Sequence, residues 1–95
     1  MTWRVIYHHA VVDDLQALGD AEARIILNVI TKRIQNGAPD KLGKPLAGRL
    51  AGCRRIRTGS VRIVYRVNAA AIEVLIIAAG RRRDAEVYTA ATRRI

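Results

Sequence analysis

Three groups of side chains have the types and spacing to handle a phosphodiester: Arg55 with Arg57, Arg62 with Arg66, and the run Arg81-Arg82-Arg83 with Tyr88. In residues 53–58, strand alternation sends Arg55 and Arg57 to one side and Ile56 to the other. In residues 61–67, Val61, Ile63, Tyr65 and Val67 form the natural core set, which leaves Arg62 and Arg66 on the open face. A turn at Gly59-Ser60 brings the two strands about 5 Å apart, so Arg55, Arg57, Arg62 and Arg66 gather. Each guanidinium is a planar fork that matches two phosphate oxygens at once. Crowded cations repel one another until an anion lies between them. Residues 80–88, Gly-Arg-Arg-Arg-Asp-Ala-Glu-Val-Tyr, then bring three more arginines and a phenol. Tyr88 offers a face to stack a base and a hydroxyl to bond or exchange a proton, a combination suited to single-stranded RNA.

The charge balance points the same way. Seventeen Lys and Arg oppose eight Asp and Glu, a formal +9 on 95 residues. Between residues 41 and 72 there is no acidic side chain, while Lys41, Lys44, Arg49, Arg54, Arg55, Arg57, Arg62 and Arg66 all fall there. A polyanionic partner follows, with Lys41, Lys44, Arg49, Arg54, Arg66, Arg81 and Arg83 as candidate backbone contacts. Other chemistries are poorly served. His8 and His9 are adjacent and would face opposite ways on a strand. Asp13 and Asp14 diverge on a helix and suit solvated or capping roles. The lone Cys53 makes neither an internal disulfide nor a Cys-rich zinc site, and reads as a small core residue. No metal and no cofactor is expected.

The elements that must position these groups can be read in turn. One domain over residues 1–95 is expected at this length. The core must be aliphatic, because the chain has no Phe and a single Trp. Residues 2–8 alternate as a strand. Residues 10–18 read as a short helix ended by Gly19, and Asp20 can cap the next. The clearest helix is 21–36, with Ala23, Ile26, Val29, Ile30 and Ile34 along one stripe, stopped by Gly37 and Pro39. Residues 41–52 form a basic loop or irregular strand punctuated by glycines. Strands follow at 53–58, 61–67 and 72–79, the last the most apolar and so central, and residues 84–94 close with a short helix. The order is βααβββα: an α+β domain, a small antiparallel sheet with helices packed on one face. The longest apolar run, residues 74–79, is far too short to span a membrane. Residues 1–5 lack a signal peptide's apolar stretch, so a cytoplasmic chain is expected.

Taken in order, these segments resemble the RelE/ParE toxin superfamily, and within it the RelE branch, over nearly the whole chain. The Trp3 strand and helix pair are followed by Pro45-Leu46-Ala47-Gly48, similar to the family's K-L-x-G. Cys53-Arg54-Arg55-Ile56-Arg57 and Val61-Arg62-Ile63-Val64-Tyr65 resemble its basic strand and its Y-R-L-V-Y strand, and residues 80–88 resemble its closing stretch. The resemblance implies a toxin of a type II toxin–antitoxin module that enters the ribosomal A site and cuts mRNA there. It places the family's two active-face lysines at Arg55 and Arg57, its arginines at Arg62 and Arg82, and its tyrosine at Tyr88. Arginine keeps the charge but holds its proton near pH 7, which argues against acid–base roles at Arg55 and Arg57. The implied reaction is attack of an RNA 2′-hydroxyl on its own 3′ phosphate, without metal. Arg57, Arg62 and Arg82 would stabilise the phosphorus charge, Arg55 would orient the sugar or attacking hydroxyl, and Tyr88 would stack the base or act as base. Implied partners are the ribosome, mRNA and a cognate antitoxin in a hetero-oligomer. Two rivals stand beside this reading: a ParE-like gyrase inhibitor with the same fold, and a nonenzymatic RNA- or ribosome-binding module.

Overall fold

A computed structural model describes residues 2–81 and 86–95. Along the chain run β1 (Arg4–Tyr7), α1 (Val11–Leu18), α2 (Asp20–Val29), a π-helical segment (Ile30–Gln35), β2 (Lys44–Pro45), a 3₁₀ turn (Gly48–Leu50), β3 (Cys53–Thr58), β4 (Val61–Asn68), β5 (Glu73–Arg81) and α3 (Glu86–Arg94). The strands make one five-stranded sheet in the order β1-β5-β4-β3-β2. The α+β class and the expected order hold, with the two-residue β2 added inside the basic stretch.

Two features of the expected sheet need correction. The β1–β5 pair runs parallel, with Arg4 beside Glu73 and Tyr7 beside Ile76, while the other pairs are antiparallel. Helices also lie on both faces rather than one. β5 is the cause, because it is apolar on both sides and each side must be covered. Val74, Ile76 and Ala79 join Ile56, Ile63 and Tyr65 beneath Val11 of α1 and Ile26 of α2. On the opposite face Ile77 and Ala78 join Cys53 and Val64 beneath Val87 and Ala91 of α3. A bulge makes this possible: Val64 pairs with Ala78 and Tyr65 with Ile76, so Ile77 is the extra residue and turns to the α3 side with Ala78.

Helix ends differ from expectation in detail. Gly19 alone separates α1 from α2, at φ +92°, a conformation that glycine adopts without a Cβ penalty. Asp20 is already helical and no side chain caps α2. The predicted single helix to residue 36 changes pitch after Val29, and the Asn36 N–H donates to the Thr31 carbonyl at 3.0 Å. Among the described residues, no helix is long and apolar enough to cross a membrane.

β1 stops at Tyr7 but β5 continues to Arg81, so the β5 edge past Ile76 has no strand beside it. Two side chains occupy that edge. The Ala79 N–H donates to Asp14 Oδ2 at 3.0 Å, and Arg94 Nη1 donates to the Ile77 carbonyl at 2.9 Å. The two side chains bond each other at 2.7 and 2.9 Å, and the bond to Asp14 holds the Arg94 guanidinium above its ordinary pKa. Asp14 is thus neither solvated nor a helix cap. It ties α1 to β5 and α3.

Tyr65 anchors the loop before β2. Its ring is fully buried and its hydroxyl donates to the carbonyls of Pro39 at 2.8 Å and Leu42 at 3.2 Å. Burial raises the Tyr65 pKa, and neighbouring Arg54 opposes the rise. Tyr65→Phe is expected to cost about 1.5 kcal/mol in urea denaturation, because it strands the Pro39 carbonyl while the Leu42 carbonyl keeps Arg54; a cost below about 0.5 kcal/mol would contradict this role. A raised folded pKa means the stabilisation is complete below the pH where free tyrosine ionises and fades as pH climbs through the raised value. The variant should therefore show a flatter alkaline limb.

Candidate functional site

The face shared with α3 carries the predicted cluster. β3 pairs with β4 so that Arg57 lies opposite Arg62, Arg55 opposite Val64 and Cys53 opposite Arg66. Directly paired residues project to the same side, so Arg55, Arg57, Arg62 and Arg66 do share one face. Lys44 of β2 lies opposite Arg55 and extends the row outward. At the other end Gly80 of β5 lies opposite Arg62. A Cβ at Gly80 would stand 3.0 Å from that of Val87, so glycine lets α3 settle close to the strand.

Tyr88 reaches this face because its neighbours on α3 are buried. Val87 and Ala91 enter the cluster with Leu50, Cys53, Val64, Ile77 and Ala78, and half-buried Tyr88 packs against it. Its hydroxyl accepts a hydrogen bond from Arg55 Nη1 at 3.1 Å. The Arg62 guanidinium carbon lies 5.4 Å from the centre of its ring, within cation–π range. Three of the five predicted catalytic groups thus meet, and Arg57 sits across the ladder from one of them. Arg82 lies outside the described residues.

The buried Nε atoms of Arg55 and Arg62 have no hydrogen-bond partner among the described residues. Buried donors are normally paired, and a guanidinium has no acceptor of its own with which to adapt. An oxyanion is the acceptor that suits such charged donors. Because Arg55 donates to the Tyr88 oxygen, that oxygen's own proton remains to be donated elsewhere.

Among the candidate backbone contacts, Lys41, Lys44, Arg49 and Arg66 are exposed. Lys44 adjoins the site, and Arg49 stands on the 3₁₀ turn beside Tyr88. Arg54 is placed apart from these. It lies opposite Tyr65, on the face under α1 and α2, and its Nε donates to the Leu42 carbonyl at 2.7 Å. A lone count of cations could not separate it from its neighbours, because alternation on β3 makes every second residue a scaffold residue. Arg81 is engaged elsewhere, with Glu22 of α2 at 3.1 Å. Arg83 lies outside the described residues.

His8 and His9 are stacked at 4.3 Å, and His8 Nδ1 accepts the Ala10 N–H at 3.1 Å where the chain enters α1. Neither joins the arginine cluster. Burial first, then the positive neighbours, lowers the His8 pKa. Cys53 is buried, its thiol pKa is pushed up by that burial, and it behaves as the core residue expected.

One positioning residue was read only as a break in the chain. Gly43 has φ +67°, and a Cβ there would fall 2.3 Å from the Arg55 carbonyl oxygen. Its approach is what allows Lys44 to pair with Arg55. Gly43→Ala is expected to destabilise the fold by about 2 kcal/mol, through steric overlap and left-handed strain, and to weaken RNA binding by displacing β2. Unchanged melting and binding would show that the close approach is dispensable.

With this geometry in place, the sequence matches the family described as ParE toxin of type II toxin-antitoxin system, parDE, over residues 5–86. No curated protein matches at a significant level. Among solved structures, the toxin–antitoxin complex RelBE2 from Mycobacterium tuberculosis is similar at TM-score 0.79 and 24% identity, over 86% of this chain and 100% of that one. The Escherichia coli toxin RelE, solved in the free state as a double mutant, is similar at TM-score 0.78 and 23% identity, over 100% and 99%. An archaeal RelE–RelB complex from Pyrococcus horikoshii is similar at TM-score 0.61 and 26% identity, over 90% and 100%.

Proposed function

Because the chain belongs to the ParE toxin family of type II toxin–antitoxin systems, within the RelE/ParE superfamily, we propose that it is an endoribonuclease that cuts mRNA in the ribosomal A site. The observation that carries this reading is the meeting of Arg55 and Arg62 on Tyr88, with Arg57 across from Arg62. A gyrase inhibitor has no need of guanidinium groups gathered on a phenol, whereas a phosphodiester is bound by both.

In the proposed reaction the RNA 2′-hydroxyl loses its proton and its oxygen bonds to the adjacent phosphorus. The bond from phosphorus to the 5′ oxygen breaks, and that oxygen takes up a proton. The products are a 2′,3′-cyclic phosphate and a free 5′-hydroxyl. The nucleophile is tethered to its target, so correct alignment supplies much of the acceleration. Arg57, Arg62 and Arg82 balance the charge that grows on the phosphoryl oxygens, and no metal is required for that role. Arg55 fixes the Tyr88 hydroxyl, and Tyr88 stacks the base or moves the proton. Among the described residues the cluster holds arginines and a phenol but no carboxylate or imidazole, which fits a reading in which the ribosome aligns the substrate.

A cognate antitoxin is the proposed protein partner. Similar structures were solved as complexes with RelB antitoxins, and an acidic surface would complement a chain carrying +9. The matched family description is itself a reason to keep the gyrase reading in the same experiment. Purified chain on programmed ribosomes should cut mRNA at the A-site codon and leave cyclic phosphate ends. Intact mRNA there, together with gyrase-dependent DNA breaks, would replace this reading with the inhibitor.

A further inference from the structure

Tyr88 has a second side. The chain carries a shallow groove of about 370 Å³ lined by Arg49, Tyr88, Thr89, Thr92 and Arg93. Neither Arg55 nor Arg62 lines it, so Tyr88 is the wall between the arginine cluster and this groove. Arg49 is held there by the 3₁₀ turn, since Gly48 turns at φ +63° and Leu50 is buried beside Val87 and Ala91. Arg93 and Thr89 stand on the exposed side of α3, whose buried side is Val87 and Ala91. The Thr92 hydroxyl is already spent on the Tyr88 carbonyl at 2.9 Å, so the groups left to a ligand are two guanidiniums, the Thr89 hydroxyl and the phenol ring.

We propose that this groove binds the nucleotide next to the scissile one in a single-stranded RNA. The proposal rests on the ribonuclease reading and adds to it a direction for the strand: across Tyr88, from the Arg55–Arg62 side to the Arg49–Arg93 side. Two cations beside a ring provide phosphate contacts and a stacking surface together. The volume falls in the range of small-ligand clefts. An acidic peptide would use the cations equally well, but it would gain little from the ring shared with the neighbouring arginine cluster. RNA is therefore the favoured occupant.

The test uses uncleavable 2′-O-methyl RNA dinucleotides and tetranucleotides titrated onto the isolated chain. The unsubstituted chain should bind the tetranucleotide about tenfold more tightly, because of its two added nucleotides one stacks in the groove, with a phosphate on either side of it for Arg49 and Arg93. Arg49→Ala with Arg93→Ala should abolish that preference and lower the salt slope by about 1.4, or about 0.7 for each lost phosphate contact. Arg49→Lys with Arg93→Lys should keep most of both. Thr89→Glu, at an exposed position and so safe for folding, should weaken the tetranucleotide alone. An unaltered preference in the double alanine variant would overturn the proposal, as would an effect confined to binding of an acidic antitoxin peptide. Cleavage on ribosomes by the unsubstituted chain is scored separately, so the parent reading can fail while the length preference still decides for or against the groove.

Discussion

Arg62→Ala is expected to slow mRNA cleavage on programmed ribosomes by about 10²–10³-fold, the usual consequence of removing one pre-placed donor from a developing oxyanion. Arg62 is the natural choice because three observations meet on it. Its guanidinium stands over the Tyr88 ring, its Nε is buried with no partner among the described residues, and Arg57 faces it across the ladder. Removing the side chain takes away both a phosphate donor and the support of the phenol. Arg62→Lys should recover part of the loss, because a point charge replaces a fork that fits two oxygens. Arg66→Ala, on the same face but opposite Cys53, should weaken RNA binding without slowing the bond-breaking step. If Arg62→Ala cleaves within about threefold of the unsubstituted chain, the cluster is not where the phosphate reacts.

Asp14→Ala should be the most damaging single change to stability, costing about 3 kcal/mol, in the range seen when one partner of a buried ion pair is deleted. For a chain of this size that is a drop of roughly 15 °C in melting temperature. Both side chains are largely withdrawn from water, at 15% exposure for Arg94 and 14% for Asp14. The deletion strands the Arg94 charge and also the Ala79 N–H that Asp14 accepts. Asp14→Asn keeps that acceptor and should cost less. The double variant Asp14→Ala with Arg94→Ala should lose less than the two single losses added together, since neither partner is left alone. Simple additivity would mean that the two side chains act independently.

Much of this molecule was legible in its sequence, for physical reasons. Alternation in residues 53–58 and 61–67 placed Arg55, Arg57, Arg62 and Arg66 on one face, because a half-buried strand must send its apolar residues one way. What escaped depended on contacts between distant parts of the chain. Residues 72–79 read as an apolar run, and such a run does not say that a bulge will turn Ile77 and Ala78 to the α3 side. The same limit hid the second covered face. Asp14 looked like a surface acid because helical spacing reports only its own helix, whereas its partners lie 65 and 80 positions further on. Arg54 was drawn into the binding set by composition, although its position opposite Tyr65 makes it a brace for the Leu42 carbonyl. Gly43 showed as punctuation, and only the nearness of the Arg55 backbone reveals what it permits.

The seal on the β5 edge has a consequence for the order in which the molecule assembles. β1 finds its partner near residue 73 and Asp14 finds its partner at residue 94, so early elements of the fold wait on ones synthesised much later. Such distant closures pay their entropy before they are rewarded. Until Arg94 docks, the carbonyl of Ile77 lies open at a strand margin where another chain could pair. A nascent copy is thus most vulnerable to mispairing in the interval between forming the sheet and docking α3.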